Sequence, residues 1–198
     1  MTCPGNCGGF IDNEIWLIDE STADCVANKY RKCWVEAGLI SDPGAQDPVF
    51  FWADFPPNGQ FALNLLGPSD AIGVIDHFMI IKDGRVTPNT FLVFIYNDGL
   101  STLYNGKSIV PTGNPMTAKT IIIGQELAGS QNAFADDANF FRNIWAVQAL
   151  GPEYRFWYAV QVMKGSVRND NPPSAKWTID PGPSAVPEGG QFTTNCCM

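Results

Sequence analysis

Short segments rich in β-branched and aromatic residues recur along almost the whole chain, and turn sequences separate them. "PVFFWADF" (48–55), "TFLVFIYNDG" (90–99) and "KTIIIGQEL" (119–127) are typical of these segments. Between them, "PPNG", "KDG" and "YNGK" supply the Gly, Pro and Asn residues that tight turns require. About ten short strands at this spacing predict an all-β fold, an antiparallel β-sandwich in which helix is scarce.

The composition is that of a folded globular protein. The 198 residues are 45% hydrophobic and 16% charged, which is enough apolar material for a substantial core. We therefore expect a single β-sandwich domain over 1–198. Residues 164–190 are rich in Pro and Gly ("NDNPPS", "DPGPSAVPEGG"), and we expect them to form a tail that wraps around this domain.

The charge and the motifs exclude several function classes. The formal net charge is −8, and a field of this sign repels both nucleic acid and anionic membrane surfaces. No apolar run approaches the roughly 20 residues of a membrane-spanning helix. No Gly-rich phosphate loop follows a strand and opens a helix, so no nucleotide cofactor is expected. The oligomeric state stays open.

Cysteines cluster near both ends of the chain. There are six of them: Cys3, Cys7, Cys25, Cys33, Cys196 and Cys197. Six cysteines allow about 15 connectivities, so the pairing stays open. We expect Cys25 to pair with Cys33 across a short polar loop, and Cys3 and Cys7 to reach Cys196 and Cys197. A zinc site is the alternative, but it lacks a second pair of closely spaced ligands, so no metal is expected.

Disulfide bonds predict an oxidising compartment, and hence a secreted protein. "MTCPGNCGGF" contains no basic segment followed by an apolar one, so no signal peptide is visible. We interpret the chain as a mature secreted protein that carries an initiator Met. A reduced cytoplasmic protein is the alternative.

Carboxylates are the best candidates for catalysis. A serine or cysteine nucleophile needs a neighbouring base, and the only histidine, His77, begins an apolar strand where a structural role is the usual one. The segment "NEIWLIDE" presents Glu14 and Glu20 on one face, in the manner of a glycoside hydrolase strand. Because Trp16 and Ile18 stand between them and the middle acid is absent, we set this pair aside.

Two other glutamates lie in strongly apolar strands. Glu36 lies in "KCWVEAGLI" and Glu126 in "KTIIIGQELAG", and each is followed within two residues by a small residue that leaves room for a ligand, Gly38 and Ala128 respectively. If both face one cleft, the two carboxylates cannot both stay ionised, so one pKa rises and the pair supplies a base and an acid. This arrangement can hydrolyse a bond through an activated water.

The alternation of a strand places Trp34, Glu36 and Gly38 on one face and Cys33, Val35 and Ala37 on the other. We expect Trp34 and Trp52 to lie beside Glu36 and to form walls of the substrate site. Gly38 would give the substrate clearance, and Gln125, next to Glu126, is a further candidate for substrate binding.

Three blocks of the sequence resemble the neprosin-like glutamic peptidases. "KCWVEAGLISDPGAQDPVFFWADF" resembles the segment of that family in which a catalytic glutamate precedes a glycine, "TIIIGQELAGSQ" its "GGE" segment, and "ANFFRNIWAV" the "YFRN" strand that follows. The resemblance implies a concanavalin-like jelly roll, and it marks Glu36 and Glu126 as the catalytic pair. Leu39 stands where the family tends to have Trp, and Gln125 replaces the second Gly of "GGE". A peptide or protein substrate as the partner, and cleavage near proline, are further expectations from the resemblance.

Simpler interpretations remain beside this one. Glu36 could be a surface acid paired with Arg31 or Lys32, and Glu126 could simply end a strand. The same aromatic cleft without a competent acid pair would be a carbohydrate-binding, lectin-like β-sandwich. A structural or surface protein is the third possibility.

Overall fold

A computed structural model describes fourteen parts of the chain. They are residues 10–28, 30–41, 48–57, 59–68, 76–82, 91–97, 108–109, 116, 120–128, 139–141, 147–150, 153–156, 177–180 and 192–196.

These parts form strands almost throughout, together with one short helix. The helix is α1 (Ala23–Val26). The strands are β1 (Phe10–Asp19), β2 (Cys33–Ser41), β3 (Val49–Phe55), β4 (Ala62–Pro68), β5 (Asp76–Lys82), β6 (Phe91–Asn97), β7 (Ser108–Ile109), β8 (Thr120–Ala128), β9 (Asn139–Phe141), β10 (Val147–Leu150), β11 (Glu153–Phe156), β12 (Trp177–Asp180) and β13 (Phe192–Cys196). The prediction of an all-β fold is therefore confirmed.

The chain divides into two compact units. The central unit is Asp12–Glu126, and the terminal unit combines Met1–Ile11 with Leu127–Met198. In the terminal unit, β10 pairs with β11, and β13 lies between β12 and β9, with antiparallel register throughout. β12 falls within the predicted Pro- and Gly-rich tail. The single domain over 1–198 stays a prediction.

The described residues of the central unit form two sheets. Five strands lie in the order β4-β3-β2-β1-β8, and three lie in the order β5-β6-β7. The registers of β2 with β3, of β3 with β4 and of β5 with β6 are antiparallel. β2 contacts both β5 and β6, so the two sheets pack against each other. This is the layered arrangement of a sandwich, while the jelly-roll connection stays a prediction.

A hydrophobic core lies between these two sheets. β2 contributes Cys33, Val35 and Ala37 to it, and β3 contributes Phe50 and Trp52. From β6 come Phe91, Val93 and Ile95, which are at most 1% exposed. The core residues of each strand alternate, because successive side chains of a strand point to opposite faces. One face of the five-stranded sheet, here called the core face, is thereby sealed, and the other is called the opposite face.

The predicted disulfide between Cys25 and Cys33 is confirmed. It joins the residue in the middle of α1 to the first residue of β2, with the Cα atoms 5.1 Å apart. Both cysteines are fully buried in the core. Cys3, Cys7 and Cys197 lie outside the described residues, as does the side chain of Cys196 at the end of β13, so their pairing stays a prediction.

Replacing both Cys25 and Cys33 with alanine is expected to lower the free energy of unfolding by about 2 to 3 kcal/mol. The bond closes a loop with a sequence separation of 8, and losing it releases the entropy of that loop in the unfolded chain. Urea denaturation of the double variant against the wild type measures the difference. A change below about 1 kcal/mol would contradict this account of the loop.

Among the described residues, no helix is long and apolar enough to span a bilayer.

Candidate functional site

The opposite face of the five-stranded sheet carries the predicted carboxylate Glu36. Glu36 is only 7% exposed, and Trp34, two residues before it in β2, is 9% exposed. Their neighbours Val35 and Ala37 belong to the core, so the alternation predicted for this strand is confirmed. A buried carboxylate must be compensated by polar contacts, and Glu36 does take part in such an interaction. Glu36 is therefore no solvated surface acid.

Four aromatic side chains surround Trp34 on this face, and the five rings together form a cluster. We call them the aromatic cluster: Trp16, Tyr30, Trp34, Phe55 and Phe61. The Trp34 ring stacks on Phe55 with centroids 4.3 Å apart, and on Trp16 at 6.2 Å. Tyr30 meets the Trp34 ring edge-on at 5.8 Å, and Phe61 lies 6.3 Å from it. Tyr30 and Phe61 are 50% and 53% exposed, so the cluster has a buried centre and an accessible rim.

A cation lies over the centre of the cluster. Lys32 Nζ is 5.0 Å from the centroid of the Trp16 ring and 5.4 Å from that of Trp34. At these distances a lysine ammonium is attracted to the negative face of each indole. Lys32 therefore covers the two stacked rings and brings a positive charge to the face that holds Glu36.

The loop closed by the disulfide holds Tyr30 and Lys32 in place. The Oδ1 atom of Asn28 accepts hydrogen bonds from the backbone N–H of Tyr30 at 3.0 Å and of Lys32 at 3.2 Å. The Asn28 Nδ2 atom donates to the carbonyl oxygen of Lys32. An asparagine that bonds nearby backbone groups in this way fixes a turn. The loop thus positions one aromatic ring and one cation of the site.

Glu36 belongs to a row of three residues that crosses β2, β3 and β4, and the middle residue of this row has a small side chain. Glu36 lies opposite Ala53 of β3, and Ala53 lies opposite Leu63 of β4. Residues directly opposite each other in adjacent strands share a face, so all three lie on the opposite face. Ala53 is the short member of this row, between the carboxyl of Glu36 and the exposed side chain of Leu63.

Glu14 is a buried carboxylate on this face that the sequence interpretation set aside. It is 6% exposed, and it lies on β1 two residues before Trp16, whose ring stacks on Trp34. The alternation of "EIWLI" indicates that Glu14 shares a face with Trp16 and Ile18, because these three residues occupy every second position of a strand. A glycoside hydrolase strand carries its acids on one strand, whereas here the second buried acid of the face, Glu36, lies on the neighbouring strand β2.

Gly38 gives no clearance to a substrate, contrary to the prediction. A Cβ atom at this position would lie 2.0 Å from the carbonyl oxygen of Asn13 and 2.8 Å from the Cα atom of Glu14. The backbone of β1 therefore occupies the place that a side chain at position 38 would fill. Gly38 permits the close approach of β1 to β2, and so brings Glu14 to the strand that carries Glu36.

The prediction that Trp52 lies beside Glu36 is wrong. Trp52 is 5% exposed and belongs to the hydrophobic core. It lies opposite Ala37, which is itself a core residue, whereas Glu36 lies opposite Ala53. Because side chains of a strand alternate, Trp52 points into the core while Ala53 faces the site.

Glu126 and Gln125 lie on β8, in the same five-stranded sheet as Glu36. β1 separates β8 from β2, so the two strands are about 10 Å apart in the plane of the sheet. The described part of β8 contributes Ile122 to the packing around Ile18, Trp34 and Phe55. The side chains of Glu126 and Gln125 lie outside the described residues, and the Glu36–Glu126 pair stays a prediction.

The described residues form no metal site. No group of three or more His, Cys, Asp or Glu side chains among them could hold a metal ion. His77 lies on β5, in the three-stranded sheet, opposite Tyr96.

In comparisons with protein-family models, with curated proteins and with solved structures, the chain matches none of them.

Proposed function

We propose that the chain is a glutamic endopeptidase that hydrolyses peptide bonds through Glu36, a second carboxyl group and an activated water. The observation that carries the proposal is the burial of Glu36 on a sheet face lined by aromatic rings. A carboxyl group in such surroundings is shielded from water, which favours its use as a base or an acid. Glu126 is the proposed partner, on the strength of its place in β8 and of the sequence resemblance.

The proposed mechanism divides the work between two carboxyl groups. The ionised one takes a proton from a water, whose oxygen attacks the carbonyl carbon of the scissile bond. The protonated one donates its proton to the nitrogen as the C–N bond breaks, which releases a carboxylic acid and an amine. Coupled carboxyl groups titrate as a pair, so the two roles belong to the pair rather than to a fixed residue.

The order of the strands is compatible with this mechanism. β2 and β8 flank β1, so these two strands lie about 10 Å apart in the plane of the sheet. In glycoside hydrolases, two carboxyl groups that are separated by about 6.5 to 9.5 Å leave room for a water between acid and base. The proposed mechanism requires a comparable spacing between the carboxyl groups of Glu36 and Glu126. Glu14 lies on the intervening strand, which makes it the natural comparison for Glu126.

The test of this proposal is digestion of a denatured protein between about pH 3 and pH 8, with products identified by mass spectrometry. We expect cleavage in acid that declines as pH rises, because the mechanism needs one protonated carboxyl group and that proton is lost in base. A chelator is expected to leave the rate unchanged, since carboxyl groups supply both the acid and the base. Absence of cleavage products at every pH would refute the peptidase function.

Glycan binding is the second candidate, and the exposed rim of the aromatic cluster favours it. Tyr30 and Phe61 are about half exposed and lie next to the buried rings. Exposed aromatic faces beside polar groups can stack on sugar rings. Binding to a glycan array by a protein that cuts no peptide would support this candidate and exclude the first.

A further inference from the structure

An exposed strip of large apolar side chains begins just before β4 and continues along it, at the edge of the five-stranded sheet. The strip consists of Phe61, Leu63 and Leu65, which are 53%, 44% and 58% exposed. Leu63 lies opposite Ala53, and Leu65 lies opposite Phe51. The strip therefore belongs to the opposite face, the face of Glu36. Contiguous exposed apolar side chains are typical of binding sites.

The register of the strands connects this strip to Glu36. Glu36, Ala53 and Leu63 form one row across β2, β3 and β4. Neighbouring strands are about 4.8 Å apart, so Leu63 lies about 10 Å from Glu36 across the sheet. At one end of the strip, the Phe61 ring lies 6.3 Å from the ring of Trp34. An apolar surface thus continues from the aromatic cluster to the sheet edge.

We propose that the apolar strip is a specificity subsite, which binds one apolar side chain of an extended peptide substrate about three residues from the scissile bond. An extended chain rises about 3.3 Å per residue, so about three residues span the distance from Glu36 to Leu63. The side chains of Phe61, Leu63 and Leu65 contain no polar atom. A charged side chain of the substrate would lose its hydration at the strip without gaining a polar partner, so the subsite excludes it. The subsite rests on the proposed peptidase function, since it is defined relative to the bond that Glu36 attacks.

The experiment uses a peptide library in which each position within four residues of the cleaved bond is varied between Leu, Ser and Asp. We expect the wild type to prefer Leu over Ser by about tenfold in kcat/KM at one position, two to four residues from the bond. The Leu63→Ser variant is expected to lose that preference, so its ratio of kcat/KM for Leu over Ser should fall to about one. Met79→Ser is the matched control, because Met79 is 39% exposed on β5 of the other sheet and should leave the preference unchanged.

The outcomes separate the subsite from the peptidase function. A wild type that cuts no peptide overturns both. Cleavage without an apolar preference in that window, or a preference that survives in Leu63→Ser, overturns the subsite alone. Analytical ultracentrifugation of the same proteins tests the other occupant of the strip: a wild-type dimer that Leu63→Ser converts to monomer would assign the strip to a second copy of the chain and overturn the subsite.

Discussion

Replacing Glu36 with glutamine is expected to lower peptide cleavage by at least about 10³-fold while the fold is kept. Glutamine has the shape of glutamate and fits the same buried place, but it can neither accept nor release the proton that the mechanism moves. The measurement is kcat/KM on a denatured protein or a library peptide in acid, with circular dichroism and the urea midpoint to establish that the variant is folded. Cleavage by Glu36→Gln within tenfold of the wild type would contradict a catalytic role.

Three matched variants identify the partner of Glu36. Glu126→Gln is expected to be as inactive as Glu36→Gln, whereas Glu14→Gln should retain most of the activity. Glu20→Gln is the control for an exposed glutamate that precedes the disulfide loop. An inactive Glu14→Gln together with an active Glu126→Gln would assign the second carboxyl group to β1 instead of β8.

Replacing Gly38 with alanine is expected to destabilise the central unit by about 3 kcal/mol or more. The new methyl group would lie 2.0 Å from the carbonyl oxygen of Asn13, and that neighbour is backbone, so no side-chain rotation can relieve the clash. Overpacking of a close-packed site typically costs about 1 to 3 kcal/mol, and a clash with a paired strand lies at the upper end. Urea denaturation measures the loss, and the rate of peptide cleavage should fall with the folded fraction.

Gly124→Ala is the control for this substitution. Gly124 lies on β8 of the same sheet, and a Cβ atom there would have no heavy atom of the described residues within 4 Å. Its substitution is expected to change the free energy of unfolding by less than about 1 kcal/mol. Equal losses in the two variants would show that the close approach of β1 is not what requires glycine at position 38.

The strands and one disulfide could be predicted from the sequence because both depend on local signals. Period-two alternation assigns Val35 and Ala37 to one face and Trp34 and Glu36 to the other, and the structure agrees. The short separation of Cys25 and Cys33 likewise favoured their pairing. These features need no knowledge of which strands are neighbours.

The predictions for Trp52 and Gly38 were wrong because both depend on the neighbouring strand. The alternation of side chains within one strand does not predict which residues of another strand lie beside it. Whether Trp52 faces Glu36 depends on the register of β3 against β2, and a shift of one residue would have turned it to the other face. The space beside Gly38 depends on the path of β1, which is distant in sequence. Glu14 was missed for the same reason, because its significance comes from a carboxylate on another strand.

The stacked indoles of Trp16 and Trp34 also make the site visible in unlabelled protein. Two indole rings held 6.2 Å apart couple their electronic transitions, and we expect the circular dichroism of the protein to change when their mutual orientation changes. The ammonium of Lys32 lies over both rings and shifts the energy of their emission. A ligand that displaces Lys32 or separates the rings would change both signals, so occupancy of this face can be titrated by optical spectroscopy even when no bond is cut.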